Sequence, residues 1–267
     1  MQLRTPALIR FAGRAGDRND RAMVGSGMLS QELSLRLAAP VDTIGASRPP
    51  LSVDWATALD AAMPQLRVMQ VHVEQQLSAG RRPVIALGRC AVALATLPAV
   101  ARMRPDVVVV WLDAHADLNT PVTTPTGYLG GLAFAGALGF WNSGLGAGLS
   151  TSQAVLAGAR DLDPPEHRVI HESGIALVGI GERFADRLSA AIAGRPVYVH
   201  IDCDVLEPGI VPTEYAVPGG LSLQQLSETA AVLASTELVG LEIGELEHSE
   251  RRPAAVRPLL DALDPLL

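Results

Sequence analysis

The stretch Val107-Val-Val-Val-Trp-Leu-Asp-Ala-His-Ala-Asp117 decides the fold. Its first six residues, Val107–Leu112, are apolar on both alternating faces. A strand of that kind has to be covered on both sides, which is the condition of a parallel sheet clad in helices. Two carboxylates and an imidazole follow at every second position, Asp113, His115 and Asp117. In open parallel sheets ligands gather just beyond the carboxyl ends of the strands, so a polar cluster there reads as a site. Hard carboxylate oxygens with one imidazole suit Mn²⁺ and similar divalent ions. The competing reading is a polar loop whose acids cap a helix.

Working outward, further short runs have strand character: Ala7–Phe11, Val41–Ile44, Val84–Leu87, Ala154–Ala159, Ile175–Val178, Val197–Ile201 and Leu238–Ile243. Ala- and Leu-rich helical runs lie between them. The longest, Trp55–Leu77, can be capped by Asp54, and Pro64 inside it predicts a kink or break. Ser222 followed by Gln225 is a capping-box pattern opening a helix over Leu223–Leu233. Asn142–Gly148 reads as a glycine-rich loop. This alternation predicts an α/β fold, an open, mainly parallel, doubly wound sheet of about eight strands with helices on both faces. No composition shift or internal repeat divides the chain.

Composition narrows the function. With 267 residues and 48% hydrophobic content the chain can bury one substantial core. The net charge of −7 is modest and the basic residues are scattered, which argues against nucleic acid. Cys90 and Cys203 are too few for a disulfide framework and fit a reducing compartment. Met1–Pro6 has no signal-peptide pattern, and no apolar run approaches membrane-span length. A cytoplasmic protein without membrane contact is expected.

A second acidic pair, Asp202 and Asp204, directly follows the apolar run Val197–Ile201. Buried, unpaired carboxylates cost several kcal/mol, so two such clusters at strand ends ask for cations. Five ligands exceed what one ion needs, and two ions sharing Asp carboxylates would use them all. Glu242 and Glu245 end the run Leu238–Ile243. A solvated acidic strand end is one reading, since Glu247 and Glu250 follow; a bidentate partner for a guanidinium is the other.

These blocks resemble the arginase, or ureohydrolase, family. Asp113-Ala-His-Ala-Asp-Leu-Asn-Thr-Pro-Val-Thr-Thr-Pro-Thr-Gly127 is similar to the family signature. Asp202-Cys-Asp-Val-Leu-Glu-Pro208, with Pro218-Gly-Gly-Leu221, resembles its second metal loop, and Ala159–Pro164 with Glu166 its substrate loop. The resemblance implies an arginase-like three-layer sandwich, a single catalytic domain over 1–267, two Mn²⁺ ions with a bridging hydroxide, and a homo-oligomer. It implies that Asp113 and Asp202 bridge the metals, that Asp117 completes one shell, and that His115 and Asp204 complete the other. Glu245 would hold the guanidinium carbon, Asn119 and Thr126 the substrate's α-carboxylate, and Asp163 with Glu166 its α-amino group. The partner implied is a small guanidino amino acid.

The sequence departs from the family in three places. Cys90 stands where the family has its first metal-binding His; it is either a thiolate ligand or a small buried residue. Arg89 replaces an acidic neighbour, and its charge is expected to lower the thiol's pKa. Gly130 stands where arginases carry a His that shuttles a proton to the leaving amine. General-acid help is worth about 10²- to 10⁴-fold. A less basic departing nitrogen would need it less, which favours N-ω-hydroxy-L-arginine, giving L-ornithine and hydroxyurea, as in family members that serve antibiotic biosynthesis. Ordinary arginine hydrolysis, or a decayed binding protein on the same fold, are the alternatives. Asp117 is expected to relay the proton instead. Glu214 and Tyr215 sit in a loop shortened by one residue and are expected to reshape the guanidinium end. Gly13–Ala22 is expected to be a solvated loop, and His200 a satisfied core residue.

Overall fold

The computed structural model describes residues 5–250 and 256–267; Met1–Arg4, part of the expected leaderless N-terminus, lie outside them. Eight strands form one sheet: β1 (Thr5–Phe11), β2 (Val41–Ile44), β3 (Arg81–Ala86), β4 (Val108–Leu112), β5 (Ala154–Ala157), β6 (Ala176–Val178), β7 (Val197–Asp202) and β8 (Leu238–Gly244). Their order is β2-β1-β3-β8-β7-β4-β5-β6, and every described pair is parallel. All eight expected strands are present within a few residues of their expected ends.

Side-chain alternation makes the three layers. Ile9, Ile85, Val109, Trp111 and Leu156 point to a core shared with helices α2 (Trp55–Ser78), α3 (Ala93–Met103), α4 (Ala133–Ala137) and α5 (Pro164–Ser173). Leu8, Val84, Val108, Val110 and Val155 point to the opposite core, closed by α1 (Arg21–Leu37), α6 (Phe184–Ile192), α7 (Leu223–Ala234) and α8 (Val256–Ala262). β4 is buried at every position, as its unbroken apolar run requires.

The local signals act as chemistry dictates. Asp54 accepts from the backbone N–H of Ala56 and Thr57, and the capping box of Ser222 and Gln225 is complete. The expected break at Pro64 does not occur: α2 runs through it. Pro64 lies on the exposed side, where water can serve the carbonyl its missing N–H leaves free.

Helix α1 ties the core to the end of β8. A Cβ on Gly25 would lie 1.8 Å from the carbonyl oxygen of Leu246, so only glycine lets this helix approach. The His248 N–H donates to the Arg21 carbonyl at 2.9 Å beside this contact. Alanine favours a helix by about 1 kcal/mol, but overpacking against backbone costs about 1–3 kcal/mol. Gly25→Ala is therefore expected to lower the melting temperature; an unchanged or higher value in calorimetry would show that the helix and the β8 exit are not held in this contact.

Candidate active site

The residues singled out in sequence meet at the carboxyl ends of five adjacent strands, β3, β8, β7, β4 and β5. Cys90 opens a 3₁₀ turn after β3. Asp202 ends β7, and Asp204 lies in the turn Cys203–Val205. Asp113, His115 and Asp117 follow β4, Asp163 caps α5 beyond β5, and Glu245 follows β8. Cys90, His115, Asp117, Asp163, Asp202 and Glu245 line a cleft of about 800 Å³ including its open mouth, and Asp113 and Asp204 lie buried beneath it. Asp117 (φ 52°) and Glu245 (φ 60°) adopt left-handed backbone, each at a cost of about 1 kcal/mol, which turns their side chains out of the sheet's register.

Backbone donors aim the acids. The N–H of His115 donates to Asp113 Oδ1 at 2.7 Å, that of Asp204 to Asp202 Oδ1 at 2.8 Å, and that of Ala114 to Asp204 Oδ1 at 3.1 Å. Trp111 Nε1 donates to Asp113 Oδ2 at 2.9 Å. His115 Nδ1 sits 3.1 Å from Asp204 Oδ2 and 3.3 Å from Asp113 Oδ1. Possible ligand atoms of Asp113, His115 and Asp204 lie within 4.8 Å of one another, as do those of Cys90, Asp202 and Glu245. Asp117 joins neither group but lines the same cleft, and its carboxylate accepts no hydrogen bond among the described residues.

The electrostatics test whether these residues fit a cation. Burial, then the charge of Asp204, pushes Asp113 up to about 6. Burial and neighbouring carboxylates push Asp117 and Asp202 well above the usual range. Burial opposes a charge on His115, yet its hydrogen bonds to Asp113 and Asp204 push it up to about 12. The cluster thus calls for positive charge, and its only nearby source among these groups is a protonated His115. Several buried oxygens and one imidazole nitrogen suit divalent cations, and the donor set fits a pair of them.

Cys90 is the soft member of the set. Its Sγ lies 3.2 Å from Asp202 Oδ2 and 3.1 Å from His200 Nε2. His200 is fully buried, as expected of a core residue, and stacks on Trp111 with ring centroids 3.6 Å apart. Its Nδ1 meets Glu242 Oε1 at 2.6 Å, while Tyr198 and Thr96 donate to Glu242 Oε2. Glu242 is therefore core rather than a solvated strand end. The expected effect of Arg89 on Cys90 is not found. Arg89 turns away, and burial followed by the charges of Asp202 and Glu245 pushes the thiol well above its ordinary value.

Arg89 instead joins a network that sequence reasoning missed. Its side chain is fully buried. Nη1 reaches Glu245 Oε2 at 2.6 Å, Nε reaches Asp17 Oδ1 at 3.3 Å, and Nη2 reaches Glu214 at 2.8 Å and Glu247 at 3.2 Å. Glu245 Oε1 accepts from the Cys90 N–H at 2.9 Å. The segment 13–22 is accordingly not a solvated loop: Asp17 is 1% exposed, and Asn19 reaches both Arg89 and Glu214. The signal available in sequence was Arg89 itself, a charge placed directly after an apolar strand.

Tyr128 was also missed. Its hydroxyl lies 3.5 Å from Glu245 Oε1. A Cβ on Gly130 would stand 2.4 Å from Tyr128 Cε1, so Gly130 leaves the space this ring fills. Tyr215 lies beside His115, ring centroids 5.3 Å apart, and lines the cleft.

At the far end, Asn119 Nδ2 donates to Asp163 Oδ2 at 2.8 Å, and Thr126 stands exposed at the rim. Glu166 is committed to scaffolding: Oε1 accepts from the Leu118 N–H and Oε2 from the Asp163 N–H, both at 2.9 Å.

A parallel sheet that brings this donor set to one cleft has known counterparts. The chain belongs to the arginase family, whose sequence pattern matches residues 16–251, and it is a hydrolase of linear amidines. It is 39% identical over 261 residues to N(omega)-hydroxy-L-arginine amidinohydrolase of Streptomyces lavendulae, covering 97% of this chain and 96% of the relative. Arginase-1 of Bos taurus is 32% identical over 64% of this chain and 59% of its own length. In fold it is similar to Entamoeba histolytica arginase solved with L-ornithine, with a TM-score of 0.86 at 20% identity over 99% of both chains.

The crowded acids set an expectation for metal-stripped protein. Removing one charge relieves repulsion, so stripped Asp202→Asn should melt above stripped wild type. Each kcal/mol relieved is worth about 2–4 °C in a chain of this size. Added divalent metal should raise the wild type far more than the variant. The reverse order in thermal scans would mean that the acids need no cation.

Proposed function

We propose that this protein hydrolyses N-ω-hydroxy-L-arginine to L-ornithine and hydroxyurea. The observation that carries the reading is the Tyr128 hydroxyl, set beside Glu245 in space that Gly130 leaves free. It offers the substrate's N–OH a polar partner at the guanidino end. Near-full-length similarity to the Streptomyces lavendulae amidinohydrolase supports the same substrate. A urea-forming arginase and a decayed binding protein are the alternatives, and retention of the whole carboxylate set argues against decay.

Cys90, Asp113, Asp117 and Asp202 would hold one divalent ion, and Asp113, His115, Asp202 and Asp204 a second, with Mn²⁺ the choice the oxygen-rich donors favour. When bound, such a pair supplies positive charge and lowers the pKa of water toward neutrality. The remaining work falls to the chain. Asn119 and Thr126 bind the α-carboxylate and Asp163 the α-amino group, while Glu166 clamps the two loops that carry them. Glu245 accepts a guanidino N–H through Oε1 and sets the planar carbon for attack.

Water adds to the guanidino carbon, the bond from that carbon to Nδ breaks, and Nδ takes up a proton to leave as ornithine. This balance corrects the leaving-group expectation. The departing amine is the same Nδ in arginine and hydroxyarginine, so its basicity does not select between them. Asp117, whose carboxylate accepts no described hydrogen bond, is assigned to carry the proton. The same reading includes one catalytic domain over 1–267, a cytoplasmic setting, a homo-oligomer and a role in antibiotic biosynthesis. Among the described residues no helix is long and apolar enough to cross a membrane.

Assays with Mn²⁺ on hydroxyarginine, arginine, agmatine and formiminoglutamate should give the highest kcat/KM on hydroxyarginine, with hydroxyurea released. Equal or better use of arginine overturns the substrate. Asp163→Asn keeps the helix cap but loses the charge, so KM for hydroxyarginine should rise about tenfold with the melting temperature unchanged. No change in KM would remove Asp163 from the amino-group site.

A further inference from the structure

A guanidino-binding carboxylate works best when its charge is unmatched, yet here Glu245 is already bound by a guanidinium of this chain. Arg89 Nη1 holds Oε2 at 2.6 Å, and the Cys90 N–H holds Oε1 at 2.9 Å. Oε1 also accepts a long contact from the Tyr128 hydroxyl, at 3.5 Å, so a substrate N–H reaches it only by displacing that contact. Glu245 therefore cannot meet a second guanidinium in the two-pronged geometry that makes such pairs strong.

The position of Arg89 behind Glu245 points the same way. Arg89 meets Asp17, Glu214 and Glu247 as well. Of the acids around it, Glu245 alone lines the cleft; Arg89, Asp17, Glu214 and Glu247 do not. Glu247 is further matched by Arg21 at 2.6 Å. A cation in the cleft would thus face a carboxylate whose Oε2 is already held at 2.6 Å, with a buried guanidinium directly behind it. Arginine's guanidinium is cationic at any working pH. An electronegative oxygen on the guanidino group withdraws electron density and makes it a much weaker base, able to bind uncharged.

We propose that Arg89 is the specificity-determining residue for substrate charge: bound to Glu245, it favours a weakly basic, oxygen-substituted guanidino group over the permanently cationic side chain of arginine. Arg89 does not touch the substrate; it acts by occupying Glu245 Oε2 and setting a positive charge behind that carboxylate. The inference rests on the hydroxyarginine reading above and adds its physical cause.

The test compares KM and kcat on hydroxyarginine and arginine for wild type, Arg89→Gln and Arg89→Lys. In Arg89→Gln the preference for hydroxyarginine should fall about tenfold or more, chiefly through a lower KM for arginine. Arg89→Lys, which keeps the charge, should hold the preference within about threefold. A folded Arg89→Gln that weakens both substrates equally overturns the proposal, because a merely structural role has that signature. Should Arg89→Gln not fold, wild type decides the question by calorimetric binding of L-canavanine, a weakly basic oxyguanidine, and L-arginine. Tighter canavanine binding by about tenfold is expected, and equal or tighter arginine binding overturns the proposal. If hydroxyarginine is not turned over at all, the proposed reaction fails, while the canavanine comparison still tests the charge role of Arg89.

Discussion

Repulsion among buried carboxylates is the constraint on which this structure turns. Asp113, Asp117, Asp202 and Asp204 are each under a tenth exposed, and all lie at or just beyond the ends of β4 and β7. A fold tolerates such crowding only where something positive answers it. The backbone N–H groups of Ala114, His115 and Asp204 answer part and also aim the oxygens. Trp111, stacked between His200 and Phe134, holds Asp113 through its indole N–H. The apolar core and the polar site are therefore one construction: the strand side chains that bury the sheet also brace the acids at its edge.

Much of this was legible in the sequence because two strong signals coincide. Unbroken apolar runs such as Val107–Leu112 mark strands, and acids placed directly after them mark strand ends. Together they identify the sheet, its parallel character and most of the cleft. The spatial order of strands was not legible from periodicity, since burial patterns do not say which strands are neighbours. Side-chain direction was also hidden. Arg89 and Cys90 are adjacent in sequence, yet one faces Glu245 and the other Asp202, so the charge expected beside the thiol lies elsewhere. Glu242 and Glu247 looked like a solvated acidic stretch because their partners, His200 and Arg89, lie far away in sequence.

The departures from the family pattern cohere once placed in space. Gly130 lacks a side chain and Tyr128 fills the room. Arg89 takes one oxygen of Glu245, and Cys90 lends its backbone N–H to the other. Asp17 and Asn19 complete the setting from a segment with no metal-binding motif. Each departure alone resembles a loss; jointly they rebuild the guanidino end of the cleft around a different balance of charge.

The last strand in the chain, β8, lies between β3 and β7 near the middle of the sheet. Until it inserts, the two halves of the sheet present open edges to each other, and Glu245 has not reached Cys90 or Arg89. A chain leaving the ribosome carries every other strand before it carries the one that joins them. The cleft therefore cannot be complete before β8 is in place, and a protein shortened before Leu238 would lose the seam of its sheet along with one wall of its cleft.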